Sequence, residues 1–295
     1  MSETVEKKGL GWLPDYPDFR DYTEDEKSVK PLLNKVGVTK ATKSAKVSLP
    51  TSTDLRAWCS PVENQGSIGS CTANAGVAIF EYFERRAFGK HIDASRLFLY
   101  KTTRNMLHWT GDTGAFLRTT MGAMVLFGIP PEEYWPYVTA DYEKEPPAFC
   151  YAFAQNYQAM SYYRLDPPGT TKATLLTHIK TNLAGGLPSM FGFTVYASYT
   201  QGNSTGKIPY PTKNEKIVGG HAVVAVGYDD NLKIKNNFAG ATETKGALLI
   251  RNSWGTSWGS NGYGWLPYEY VLKGLAVDWW SMIKAEWVDT GAFKI

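Results

Sequence analysis

Pro61-Val62-Glu63-Asn64-Gln65-Gly66-Ser67-Ile68-Gly69-Ser70-Cys71 is a polar, glycine- and serine-rich loop that runs directly into a helical pattern. Apolar residues at Ala75, Ala78, Ile79, Tyr82 and Phe83 follow at the spacing of one helix face. Ser70 is a fair N-cap, Arg85 and Arg86 suit the helix C-terminus, and Gly89 suits the stop. The loop therefore delivers a cysteine to the first turn of a helix. Unsatisfied N–H groups and the positive end of the helix dipole gather there. A thiol in that position loses its proton more easily and becomes a stronger nucleophile.

Two further motifs lie far downstream. Gly219-Gly220-His221-Ala222-Val223-Val224 offers a general base beside an apolar strand pattern, and Ile250-Arg251-Asn252-Ser253-Trp254-Gly255 offers a group to orient it. Singly, each has a bland reading. A lone cysteine at a helix start is most often a small buried hydrophobe, and a histidine beside a strand is most often just hydrogen-bonded. The order cysteine, histidine, asparagine, each in a distinctive local sequence, points to nucleophilic catalysis.

Gln65 to Cys71, Gly220-His221-Ala222-Val223, Asn252 to Gly259, and then Asn261-Gly262-Tyr263-Gly264 resemble the signature blocks of the papain-like cysteine peptidases. The resemblance covers roughly residues 47 to 285 and is nearest to the bacterial branch with a short N-terminal segment. It implies an α+β fold of two lobes, one helical and one like a β-barrel, with the active-site cleft between them. It implies Cys71 as thiolate nucleophile, His221 as its imidazolium partner, Asn252 as the group that fixes the imidazole, and Gln65 as an oxyanion donor with the Cys71 amide. Trp254 would shield the His–Asn pair, and Gly114, Ala115, Gly220 and Trp258 would contact substrate. The implied activity is endopeptidase hydrolysis through an acyl-enzyme, with peptides or proteins as substrates and no cofactor. Two other classes keep a place: a transglutaminase-like acyl transferase, which uses aspartate as its third group, and a self-inhibited relative that only binds peptides.

The chain also departs from that pattern. Ile68 stands where many relatives have a cysteine paired with a second one near Gly114, where this chain has Asp112 and Thr113. Thr72 replaces a tryptophan, Gly220 stands where many have aspartate, and Ala115 replaces the second glycine of a substrate-binding pair. These changes touch substrate preference rather than the reacting groups.

A chain of 295 residues with a formal charge of +3 can bury a large core, and its charge balance argues against a dedicated nucleic-acid binder. No apolar stretch is long enough to span a membrane, and no secretory signal is visible at the start. A cytoplasmic location, another export route or a trimmed leader all stay open. Of the three cysteines, Cys59 and Cys150 remain beside Cys71. A chain poor in cysteine favours free thiols over one disulfide. The histidines are scattered and no zinc spacing occurs, so no metal is expected.

The organisation reads as residues 1–48, a propeptide-like segment; 49–155, a mainly helical lobe with the nucleophile; and 156–295, a mainly β lobe with His221 and Asn252. Gly11-Trp12-Leu13-Pro14-Asp15-Tyr16-Pro17-Asp18-Phe19-Arg20-Asp21-Tyr22 is aromatic, acidic and extended by its prolines. It is expected to dock on the enzyme as an inhibitor in cis. The lysine-rich stretch from Lys27 to Thr53 reads as a solvated, cleavable linker, cut between Ala41 and Thr53. Helices are expected over Phe116–Phe127 and Arg96–Leu107. Strands are expected over Pro188–Val195, Gly220–Tyr228 and Ala247–Arg251, with Asn231–Gly246 as an inserted loop. Trp279 and Trp280 read as core, with Asp278 beside them a candidate for the wall of a substrate pocket.

Overall fold

The computed structural model describes residues 8–39, 48–158 and 161–293. Three helices carry the first lobe: α2 (Cys71–Phe88), α3 (Arg96–Met106) and α4 (Leu117–Leu126). They follow α1 (Lys30–Lys35) and the short β1 (Ser52–Asp54). The helical spacing of apolar residues was sound. Gly89 closes α2 in the left-handed region at φ 73°, where a residue without Cβ is unstrained, and its N–H caps Arg85 O at 2.9 Å. Ser70 does not cap α2 with its side chain. Its hydroxyl is instead bonded to Tyr137 Oη at 2.5 Å and accepts from Asn74 Nδ2 at 3.0 Å.

The second lobe follows α5 (Ala148–Ala154). It comprises β2 (Ser161–Arg164), α6 (Lys172–Ala184), β3 (Ser189–Tyr196), β4 (Ile217–Ile234), β5 (Thr244–Arg251), β6 (Tyr263–Pro267), α7 (Tyr268–Leu272), β7 (Ala276–Ile283) and α8 (Ala285–Asp289). The strands form one antiparallel sheet in the order β2-β7-β3-β4-β5-β6, with β1 pairing on β4. The result is the expected α+β fold. Register matters for the site: Phe193 pairs with His221 and Val224 with Arg251, so His221 and Asn252 come from neighbouring strands.

Two expectations need correction. Asn231–Gly246 is not wholly a loop. After an irregularity past Asp229 the hairpin resumes, pairing Lys233 with Lys245 and Ile234 with Thr244. The polar composition hid it because this extension lies at a solvent-facing end of the ladder. The second correction concerns the lysine-rich stretch, which is folded over its first part. Val29, Leu33, Val36 and Val38 are at most 2% exposed, and α1 packs against α8. Lys27, Lys30 and Lys35 point outward, and Lys35 pairs with Asp289 at 2.8 Å. The expected cut between Ala41 and Thr53 falls largely outside the described residues.

α1 is therefore a staple between the N-terminal segment and the C-terminal helix. Leu33→Ala removes a fully buried side chain and should destabilise the protein by about 2–5 kcal/mol in denaturant unfolding. A change below 0.5 kcal/mol would show that α1 is not docked in solution.

Cys59, Cys71 and Cys150 are all free thiols. Trp279 and Trp280 are fully buried, with Trp279 stacked on Phe191 at 3.9 Å. Among the described residues no helix is long and apolar enough to cross a membrane, and no cluster of three or more His, Cys, Asp or Glu side chains could hold a metal.

Candidate active site

Cys71 is the first residue of α2 and has no exposed surface. Its loop is held from below by a carboxylate. Asp112 accepts the Gly69 N–H at 2.8 Å and the Tyr100 hydroxyl at 2.6 Å, while Tyr100 Oη accepts the Gly114 N–H at 3.1 Å. This network ties the Cys71 loop to the Gly114 loop, where many resembling enzymes would use the disulfide missing here. In the sequence Asp112 was noted only as standing, with Thr113, where resembling enzymes carry the second cysteine, and Tyr100 was not singled out. Twelve positions apart on unlike elements, they share no motif that could have announced them.

His221 and Asn252 meet across β4 and the end of β5. The His221 Nε2–H donates to Asn252 Oδ1 at 2.8 Å, which leaves Nδ1 as the unprotonated nitrogen, without a hydrogen-bond partner. The Ser253 N–H also donates to Asn252 Oδ1, at 2.8 Å, fixing the amide. Trp254 lies stacked on the imidazole at 4.5 Å between ring centres and is itself fully buried. Trp258 stands edge-on behind Trp254 at 5.5 Å and is 3% exposed. It backs the site rather than lining it.

Gln65 is aimed by the same turn. Ser253 Oγ donates to Gln65 Oε1 at 2.6 Å, and the Gln65 N–H donates to Ser253 O at 2.8 Å. With its carbonyl oxygen so occupied, Gln65 presents Nε2 to the cleft.

The cleft is filled by the chain's own N-terminal arm. The Gly9 N–H donates to Gly66 O at 3.0 Å, and Gly9 O accepts Gln65 Nε2 at 3.2 Å and Trp254 Nε1 at 3.3 Å. The Ala115 N–H donates to Gly11 O at 2.8 Å, the Leu13 N–H to Ala115 O at 3.1 Å and the Trp12 N–H to Gly220 O at 3.3 Å. Three of the residues expected to meet substrate are thus engaged: Ala115 and Gly220 by hydrogen bonds, and Gly114 by close approach. Gly114 must lack a side chain here, because a Cβ would come 2.1 Å from Gly11 O. The Trp12 indole sits over Gly192 and Gly220, with its N–H on Asp278 Oδ2 at 3.1 Å. Further along, Arg118 clamps the arm, donating to Asp21 at 2.6 and 2.9 Å, to Tyr16 O at 2.7 Å and to Asp15.

This burial sets the protonation of the pair. Burial pushes the Cys71 thiol up to about 11, although backbone hydrogen bonds from Ala222, Gly11, Thr72 and Trp12 pull the other way. Burial lowers His221 to about 4, against the Asn252 bond. With the arm in place burial disfavours the charged form of each group.

Residues 49–272 match the family model described as papain family cysteine protease. An uncharacterized peptidase C1-like protein of Acanthamoeba polyphaga mimivirus is 31% identical over 95% of this chain and 88% of its own length. Peptidase 1 of Euroglyphus maynei is 30% identical over 74% of this chain and 61% of its own. Among solved structures, xylellain, a cysteine protease from Xylella fastidiosa, is 34% identical, covers 95% of this chain and 97% of its own, and superposes with a TM-score of 0.73.

Proposed function

The chain belongs to the papain family of cysteine proteases, and from that premise we propose that it hydrolyses peptide bonds with Cys71 as nucleophile and is held latent by residues 8–22. The observation that carries this reading is the convergence of Cys71, the His221–Asn252 hydrogen bond and the Gln65 amide on one groove, together with the arm that fills it. In the open cleft His221 Nδ1 takes the Cys71 proton, and the thiolate attacks the scissile carbonyl. The Asn252 amide accepts from Nε2–H and so keeps Nδ1 available for that proton without carrying a charge of its own. Gln65 Nε2 and the Cys71 N–H, at the positive end of α2, hold the developing oxyanion. The imidazolium then protonates the leaving amine, and the neutral ring later activates water to release the acid.

The arm occupies this machinery without being consumed. Trp12 pairs with Ala115 in parallel, and its N–H donates to Gly220 O. The Gly9 carbonyl takes up the Gln65 donor. The reading divides the chain into an inhibitory segment, a helical lobe bearing Cys71 and a β lobe bearing His221 and Asn252.

One consequence is specific to Gln65. In a full-length chain whose arm is loosened by Trp12→Ala, Gln65→Ala should lower kcat about 10²–10³-fold and leave KM nearly unchanged. Fluorogenic peptide kinetics would measure both. An unchanged kcat would remove Gln65 from oxyanion stabilisation. A KM change alone would make it a ground-state contact.

A further inference from the structure

The Gln65 amide carries two hydrogens, and they go to different places. One reaches Gly9 O of the arm at 3.2 Å and so faces the groove. The other is held at 2.9 Å by Ile68 O, inside the Cys71 loop. That second bond, with the Ser253 hydroxyl on Gln65 Oε1, fixes the plane of the amide and so aims the first hydrogen. The orientation of Ile68 O therefore matters. In a trans peptide the C=O and the following N–H point opposite ways, so whatever holds the Gly69 N–H aims Ile68 O. Glycine at 69 restricts the rotation of that peptide little by itself.

The group that holds it is Asp112, whose Oδ1 accepts the Gly69 N–H at 2.8 Å. The same oxygen accepts the Tyr100 hydroxyl at 2.6 Å, and Tyr100 Oη accepts the Gly114 N–H at 3.1 Å. Tyr100 is fully buried, and burial together with the Asp112 carboxylate keeps its hydroxyl protonated, as the donor. Arg104, also fully buried, lies over the Tyr100 ring at 4.3 Å and donates to Gly111 O at 2.5 Å, one residue before Asp112. The two loops meet at backbone distance: a Cβ on Gly69 would come 3.2 Å from both Asp112 Oδ1 and Gly114 N. One carboxylate oxygen thus sets the Gln65 donor in register with Ala115, whose N–H and C=O pair with an extended chain, here Gly11 and Leu13.

We propose that Asp112 is a positioning residue, which acts through the Ile68–Gly69 peptide on the Gln65 amide and through Tyr100 on the strand that Gly114 and Ala115 offer to substrate. The proposal rests on the reading of Gln65 as oxyanion donor. Asp112 bonds to Gly69 and Tyr100 and reaches the reacting groups only through them. Its two branches have separable consequences. Loss of the first misplaces a donor that acts in the transition state, and lowers kcat. Loss of the second loosens a contact made equally in the ground and transition states, and raises KM.

The test uses fluorogenic peptide kinetics on the full-length chain carrying Trp12→Ala, with further changes at positions 112, 100 and 65. Asp112→Ala should lower kcat at least about tenfold, since misplacing a catalytic group by about 1 Å costs up to about 10²-fold. Tyr100→Phe should raise KM at least about threefold and change kcat less than about threefold. The deciding readout is coupling. Once Gln65→Ala has removed the amide that Asp112 aims, adding Asp112→Ala should lower kcat by less than about a further threefold. A merely structural defect would instead multiply the two losses in full. Full multiplication, or a kcat for Asp112→Ala within about twofold of its background, would overturn the proposal. An unchanged KM in Tyr100→Phe would overturn it too, even where Asp112→Ala does not fold. If Gln65→Ala itself leaves kcat unchanged, the oxyanion reading falls and this proposal with it.

Discussion

Cys71→Ala should reduce kcat/KM for peptide hydrolysis by about 10⁴–10⁶-fold, measured in the Trp12→Ala background so that substrate can reach the site. The loss is this large because the thiol forms and breaks the covalent bond, and no neighbour can replace it. Cys59 is buried with its Sγ toward Leu55 O at 3.8 Å, and Cys150 packs with Phe98 and Ala154. Neither is placed at the groove. Folding should be nearly unaffected, since alanine suits a helix start and removes only one sulfur. A melting temperature within a few degrees of the parent would show this. Residual activity above a tenth of the parent's would mean that hydrolysis runs through another group.

The second large effect is an increase. Trp12→Ala in the otherwise intact chain should raise peptidase activity by about 10²–10³-fold, up to the limit of the fully open enzyme. Trp12 is 5% exposed, and truncating a buried tryptophan typically costs about 3–5 kcal/mol. Here the cost falls on the docked state alone, because in the released arm the side chain is in water. The docking equilibrium therefore shifts by nearly the full amount. Tyr16, only four residues along the same arm but 88% exposed, provides the comparison. Tyr16→Ala should leave activity within about twofold of the parent, as solvent-exposed side chains contribute little. Equal effects at the two positions would mean that the arm does not seat in the cleft as described.

Much of this was legible in short stretches of sequence, and for a physical reason. Gln65, Cys71 and Asn252 each lie in a loop or at an element's end, and His221 lies inside β4 directly after two glycines, so local glycine, serine and tryptophan content reflects the geometry needed. The helical spacing after Cys71 and the apolar run after His221 were equally local. What escaped was long-range. The hydrogen bond from Trp12 to Asp278 joins residues 266 positions apart, and nothing near either one signals the other. Asp112 holds the nucleophile loop through an ordinary-looking acid. The α1 staple was within reach, since Val29, Leu33 and Val36 follow helical spacing. The surrounding lysines suggested solvent, when they mark only its outer face. Pro31, at the start of α1, agrees with a helix N-terminus, where a missing N–H costs nothing.

The staple also bears on the proposed latency. A cut within residues 40–47 would leave Val29, Leu33 and Val36 buried against the enzyme and the Arg118 clamp on Asp15 and Asp21 intact. On this account release of the groove requires breaking the contacts of residues 8–22 themselves, not only the chain behind them.

The central claim is that Cys71 is an activated nucleophile covered by the chain's own arm. It is tested most directly by active-site titration with a peptidyl epoxide, followed by peptide mapping, on the full-length parent and on full-length Trp12→Ala. The account predicts one equivalent bound to Cys71 in Trp12→Ala, and labelling of the parent slower by about 10²–10³-fold, in line with the burial of Trp12. Equal, rapid labelling of both would keep the nucleophile and remove the blockade. Absence of label on Cys71 in both, or label on Cys59 or Cys150 instead, would contradict the account at its centre.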